Sequence, residues 1–210
     1  MKGLYLVTPN WIDTDRMVAI TREALHAGAA LVQYRHKEAA PPLRREQGAA
    51  LLALCRHYGR PLVINDHIDL CVTLDADGVH VGGTDASVAQ ARAALGPGKI
   101  VGASCYGELA LARAAQANGA SYVAFGGFYP SLVKKYSFRT EPAILDEARR
   151  DITLPIVVIG GMTPANAAPL VARGAHLVAA ITSVYAADDP ARAVREFDSL
   201  FAANRQALDV

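Results

Sequence analysis

Gln33, Arg35 and Lys37 alternate along one short run, Leu31-Val32-Gln33-Tyr34-Arg35-His36-Lys37. Period-two alternation places those three side chains on one side of a strand and Val32, Tyr34 and His36 on the other. Two cations on a semi-enclosed face are costly unless an anion or a carboxylate pairs with them. The pattern therefore predicts a bound anion, with a structural ion pair to an acidic neighbour as the plainer alternative. Asn65-Asp66 ends a second apolar run, Leu62-Val63-Ile64, and Asp85 follows a third, Val79-His80-Val81. One aspartate in such a place commonly caps the next helix. Two of them near an Arg and a Lys suit Mg²⁺, which takes one or two protein carboxylates and completes its shell with phosphate oxygens and water.

A second anion site is legible later in the chain. Gly160-Gly161-Met162-Thr163 and Ile181-Thr182-Ser183 each follow an apolar run, where glycine frees backbone N–H groups and a helix begins. A tight turn alone would also account for Gly-Gly. Between the two sites lies Phe128-Tyr129-Pro130-Ser131-Leu132-Val133-Lys134-Lys135, which reads as a loop carrying cations over the site, or as a solvated basic loop. Ser104 has no His and Asp in a defensible triad arrangement, so it reads as a hydrogen-bonding residue. His67 and His80 sit in apolar context without metal-ligand spacing, and Cys105 reads as packing. Two facing anion sites imply a protein that joins, splits or rearranges phosphorylated compounds.

The elements that must position these residues are eight apolar runs, from Gly3-Leu4-Tyr5-Leu6-Val7-Thr8 to Leu177-Val178-Ala179-Ala180, separated by alanine-rich segments of helical spacing. At three junctions, around Gly28, Gly119 and Gly174, a glycine is expected to take the left-handed cap of one helix just before the next strand. Thr163-Pro164 and Asp189-Pro190 each set a capping residue before a proline at the first helical position, and Pro41-Pro42 marks another entry. Eight strand–helix units predict an α/β fold, a single (β/α)8 TIM barrel over residues 1–210, whose strand ends meet at one mouth. That geometry favours phosphate binding after strands seven and eight. The rival dinucleotide-binding open sheet needs a glycine-rich turn where this chain has Thr8-Pro9-Asn10-Trp11.

With 210 residues, 52% of them hydrophobic, the chain can bury one substantial core. A net charge of +1 and the lack of a long basic run argue against nucleic acid or an anionic membrane as the main partner. No apolar stretch approaches a membrane span, and the N-terminus lacks a signal-type apolar region. Three cysteines without CxxC spacing suggest neither disulfides nor zinc, and fit a reducing cytoplasm. Oligomeric state is left open.

The ordered set of pieces resembles the thiamine-phosphate synthase family. The matching segments are Gln33-Tyr34-Arg35-His36-Lys37, Ile64-Asn65-Asp66, Asp77 through Gly82 with Asp85, Gly102-Ala103-Ser104, Gly126 through Lys134, Ile159-Gly160-Gly161-Met162 and Thr182-Ser183. They follow the family's order and spacing across nearly the whole chain. The resemblance implies that Arg35, Lys37, Asn65 and Lys134 hold the diphosphate of a hydroxymethylpyrimidine substrate, with Mg²⁺ on Asp66 and Asp85. It implies that Gln33 and Ser104 hydrogen-bond the aminopyrimidine ring, and that Gly161, Thr182 and Ser183 bind the phosphate of a hydroxyethylthiazole. Arg35, Lys37, Lys134 and Ser104 are the expected catalytic set, and Ser131 joins the substrate contacts as the retained hydroxyl of the loop.

The chain departs from the family pattern in four places. Ser131-Leu132-Val133-Lys134 stands where T-P-T-K is common, and His36 where a glutamate is usual. Gly83 replaces a frequent glutamine, and Thr182 a usual aliphatic residue. Two other readings stay open at this level: an isomerase resembling the thiazole tautomerases, and a non-catalytic barrel that binds thiazole phosphate.

Overall fold

The computed structural model describes residues 1–82, 87–131, 133 and 137–206, with side chains through 202. Its eight strands are β1 (Gly3–Val7), β2 (Leu31–Tyr34), β3 (Leu62–Asn65), β4 (Gly78–Val81), β5 (Ile100–Tyr106), β6 (Tyr122–Gly126), β7 (Ile156–Ile159) and β8 (Leu177–Ala180). All pair in parallel, in sequence order, and β8 returns to β1 with Gly3 opposite Leu177. The sheet closes into the expected barrel. Helices α1 (Thr14–His26), α2 (Pro41–His57), α3 (Ile68–Leu74), α4 (Val88–Leu95), α5 (Leu109–Ala117), α6 (Ile144–Asp151) and α7 (Pro164–Ala172) each follow the strand of the same number. A short α8 (Thr182–Tyr185) and a long α9 (Pro190–Gln206) follow β8.

Strand alternation divides the core into two layers. Leu4, Leu6, Val32, Tyr34, Ile64 and Val158 point outward against the helices, while Tyr5, Val7, Leu31, Val63, Tyr122 and Val157 fill the barrel. Gln33 shares the inward parity of Leu31, as the spacing predicts, and Tyr34 packs outward with its hydroxyl donating to Gln47 at 2.9 Å. No helix is long and apolar enough to cross a membrane among the described residues.

The predicted punctuation is present. Gly28, Gly119 and Gly174 have φ of +119°, +87° and +99°. The Thr163 hydroxyl accepts from the Asn166 N–H, and the Asn166 side-chain oxygen accepts from the Thr163 N–H, so two of the orphan N–H groups at the start of α7 are satisfied. Asp189 likewise accepts from the Arg192 N–H at the start of α9. Two strands differ from expectation: β2 ends at Tyr34, so Arg35 and Lys37 lie in the segment after it rather than on the strand, and β5 is longer than its run. β5 runs past Ser104 to Tyr106, with a register shift between those residues that puts Tyr106 opposite Phe125. A bulge leaves no trace in local periodicity, because the extra residue is absorbed only where the neighbouring strand fails to pair.

Candidate active site

At the C-terminal ends of the strands a cavity of about 690 Å³ opens. On one side it is lined by Gln33, Arg35 and Lys37 after β2, Asn65 and Asp66 after β3, and Ser104 on β5. Across from them lie Gly160, Gly161, Thr182 and Ser183 after β7 and β8, with Ser131 arriving from the loop after β6. Every described residue singled out for site chemistry thus reaches one cavity. Asp85 and Lys134, the remaining two, lie outside the described residues, as do Leu132 and Lys135.

Arg35 is held at its root. The buried Thr8 hydroxyl accepts from the Arg35 N–H at 2.8 Å and donates to its carbonyl at 3.3 Å, while the Thr8 N–H donates to Gln33 at 3.0 Å. The guanidinium therefore swings from a fixed base on the barrel rim. Lys37 pairs with Asp66, Nζ to Oδ2 at 3.1 Å, so the ion pair foreseen as an alternative is present. It joins two groups of the cavity itself. Its lysine is half exposed, so it remains open to a stronger anion.

Asp66 has φ of +63°, costly for a residue with a side chain, and its N–H donates to the His80 carbonyl at 2.9 Å. The helix that follows is capped at His67 without a side-chain bond, so Asp66 does not serve as its cap. Tyr106 is a second non-glycine cavity residue at positive φ, +51°, on the strand where the β5 register shifts.

On the opposite rim, Gly161 has φ of +58° and lies so close to the preceding loop that a Cβ there would sit 2.1 Å from the Pro130 carbonyl oxygen. Asn166 donates to the Gly161 carbonyl at 2.9 Å and secures the turn. The buried Ser183 Oγ finds no hydrogen-bond partner among the described residues. A buried hydroxyl without a partner costs about 1–3 kcal/mol. Beside glycine-freed N–H groups, an anion is the natural acceptor for its proton.

Three inward residues were not foreseen as parts of the site: Tyr5, Tyr122 and His80. His80 Nε2 lies 2.9 Å from Ser104 Oγ, but its Nδ1 faces the Tyr122 hydroxyl at 2.9 Å rather than a carboxylate. Among the described residues no nucleophilic triad results, in keeping with the reading of Ser104 as a hydrogen-bonding group. Their inward parity was the available signal. The three cysteines are buried and free, and burial raises their thiols to about 12, 11 and 12 for Cys55, Cys71 and Cys105, which makes them poor nucleophiles.

His36, between Arg35 and Lys37, is only 6% exposed, and neither ring nitrogen has a partner among the described residues. Burial lowers its pKa, outweighing the attraction of Glu38, and Arg44 and Arg35 lower it further. Between that lowered value and the ordinary 6.5, the unfolded chain binds a proton that the folded chain refuses. Stability should therefore fall as pH drops through about 6.5. A His36→Asn variant should lose less Tm between pH 7.5 and 5.5 than the wild type does; equal losses in thermal melts would rule out this role for His36.

Residues 4–184 match the family model described as thiamine monophosphate synthase. The chain is 61% identical over 202 residues to a thiamine-phosphate synthase of Janthinobacterium sp. (strain Marseille), covering 96% of this chain and 98% of that one. It is 50% identical to a thiamine-phosphate synthase of Thiobacillus denitrificans over 96% of this chain and 95% of the relative. Among solved structures, a thiamine phosphate pyrophosphorylase from Pyrococcus furiosus superposes with a TM-score of 0.85 at 30% identity, covering 96% of each chain. A 3-hexulose-6-phosphate synthase, at 21% identity and a TM-score of 0.70 over 95% of this chain and 99% of that one, shares the fold. With a family match over residues 4–184 and relatives of the same name aligned over nearly its whole length, the chain belongs to the thiamine monophosphate synthase family.

Proposed function

We propose that this protein is a transferase that condenses 4-amino-2-methyl-5-(diphosphooxymethyl)pyrimidine with 4-methyl-5-(2-phosphooxyethyl)thiazole, releasing thiamine phosphate and diphosphate. The observation that carries the reading is the facing of Arg35, Lys37, Asn65 and Asp66 against Gly161, Thr182 and Ser183 across one cavity. Names borne by relatives of up to 61% identity support the same reaction.

In the step itself, the bond between the pyrimidine methylene carbon and the diphosphate oxygen breaks, and its electron pair leaves with the diphosphate. The 4-amino group spreads the positive charge left on carbon, and the thiazole nitrogen supplies the pair for the new C–N bond. No protein nucleophile enters. Arg35, Lys37 and Lys134 would hold the leaving group as its charge grows, and the opposite rim would hold the thiazole phosphate so that the nitrogen lies in line.

Asp66, with Asp85, would hold Mg²⁺. The carboxylate of Asp66 is 18% exposed, lines the cavity and stands beside the cations that would grip the same diphosphate, which is the hard-oxygen environment this ion takes. When bound, the ion supplies further positive charge to the leaving group. Three cations and one divalent ion exceed two aspartates by three charges, matching a diphosphate of roughly −3.

Asp66→Asn should shift the Mg²⁺ concentration for half-maximal rate upward by about tenfold or more, since loss of one of two carboxylates weakens a site this sparse. A metal titration superimposable on that of the wild type would remove Asp66 from the ligand set. Residence in a reducing cytoplasm accords with the three free, buried thiols. Incubating the protein with both substrates and Mg²⁺, and measuring diphosphate release, tests the whole reading. Binding of the thiazole phosphate without release would favour a carrier, and isomerisation of the thiazole alone would favour the tautomerase-like reading.

A further inference from the structure

Along the cavity floor five side chains from five strands form one unbroken hydrogen-bonded series. Gln33 Nε2 donates to the Tyr5 hydroxyl at 2.6 Å, and the Tyr5 and Tyr122 hydroxyls are 2.6 Å apart. Tyr122 meets His80 Nδ1 at 2.9 Å, and His80 Nε2 meets Ser104 Oγ at 2.9 Å. Tyr5 and Tyr122 are buried almost completely, and Gln33, Tyr5, His80 and Ser104 all line the cavity, the first and last of them as the two ends of the series. The arrangement is tightly built. Tyr122 stacks on the His80 ring with an interplanar angle of 18°, and a Cβ on Gly102 would lie 2.0 Å from its ring.

We infer that Tyr5, Tyr122 and His80 are positioning residues that tie the polarity of Gln33 to that of Ser104, so that the cavity presents one acceptor paired with one donor. Each hydroxyl carries a single proton. With the Gln33 amide nitrogen donating to Tyr5, the Tyr5 proton must go to Tyr122 and the Tyr122 proton to His80 Nδ1. The imidazole proton then sits on Nε2 and is donated to Ser104. What remains for the cavity is the Gln33 carbonyl oxygen as acceptor and the Ser104 hydroxyl proton as donor. An aminopyrimidine edge offers the complement: an amino N–H and a neighbouring ring nitrogen.

Burial raises both phenols well above 10, so the two hydroxyls keep their protons through the working pH range. In so enclosed a place, a reversed amide at Gln33 would force every later proton to reverse as well, because a buried donor left without an acceptor is costly. The sense of the series does not depend on the proposed reaction; its consequence for the pyrimidine does.

The test reads the His80 imidazole by ¹⁵N NMR of the full chain at pH 8, where an ordinary imidazole carries one proton, with the signal assigned from its loss in His80→Gln. In the wild type, Nε2 is expected to carry the proton and Nδ1 none. Gln33→Glu puts an acceptor-only carboxylate at the head of the series, so Tyr5 must now donate to it and Nδ1 must gain a proton, three side chains away. In Gln33→Glu with Tyr122→Phe the link is cut and Nδ1 should not respond. A protonated Nδ1 in the wild type, or a Gln33→Glu variant with Nδ1 still bare, overturns the inference.

Turnover supplies a second reading. Tyr122→Phe alone should raise KM for the pyrimidine diphosphate about tenfold, with KM for the thiazole phosphate unchanged, as expected when one end of a hydrogen-bonding pair loses its orientation. Equal rises in both KM values would mean a merely structural tyrosine. Should the wild type release no diphosphate while the imidazole behaves as expected, the reaction is wrong and the series stands.

Discussion

In an Arg35→Met variant kcat is expected to fall by about 10² to 10³, the loss typical of removing one preorganised group that faces developing negative charge. The expectation follows from where the charge grows. As the methylene–oxygen bond breaks, the diphosphate becomes more negative, so a cation at that place binds the transition state more tightly than the substrate. Thr8 clamps the Arg35 backbone on both its N–H and its carbonyl, so the side chain starts from a fixed point on the cavity rim. Arg35→Lys should recover only part of the rate, since an ammonium cannot reproduce a planar, two-pronged contact. Steady-state kinetics with the pyrimidine diphosphate varied decide the matter. A raised KM with kcat unchanged would mean that Arg35 binds the ground state and transition state equally, contrary to the proposed role.

Gly161→Ala should raise KM for the thiazole phosphate by about 10- to 100-fold. Its left-handed φ of +58° costs alanine about 1–2 kcal/mol. The steric clash costs more. A Cβ 2.1 Å from the Pro130 carbonyl oxygen, and 3.2 Å from the Tyr129 Cβ, must push the loop after β6 away from the turn after β7. Overpacking of this kind costs about 1–3 kcal/mol, or about 5- to 150-fold in an equilibrium constant. Because Gly161 and Ser183 belong to the rim opposite Arg35, KM for the pyrimidine diphosphate should move much less. A thiazole KM within twofold of the wild type would mean that this turn does not shape the phosphate pocket.

Much of the site was legible without coordinates, for a reason that can be traced residue by residue. Parity along β2 is a property of the extended backbone, so Gln33 had to face inward with Leu31, whereas Arg35 and Lys37 lie beyond Tyr34, the last residue of the strand, and reach the same cavity from the segment that follows it. The Gly-Gly turn after β7 and the capping pair Thr163-Pro164 are likewise local chemistry, and both appear where the chain announces them. His80 was harder. Its apolar neighbours Val79 and Val81 made it look like a core residue, and the same alternation that sends them outward turns His80 into the barrel. Without the identity of the strands facing it, a buried histidine has no visible partner. Tyr106 was hidden by the register shift in β5.

The order of elements and the inward faces of the strands were determined by the sequence alone, because each depends on dihedral preferences and spacings within a few residues. The ion pair of Lys37 with Asp66, the contact of Gly161 with Pro130 and the series from Gln33 through Tyr5, Tyr122 and His80 to Ser104 were decided only by the tertiary structure. Tyr5 and Tyr122 stand 117 positions apart in the chain. They meet because the closed sheet sets strand tilt and register around the whole barrel, and that constraint exists only once β8 has paired with β1.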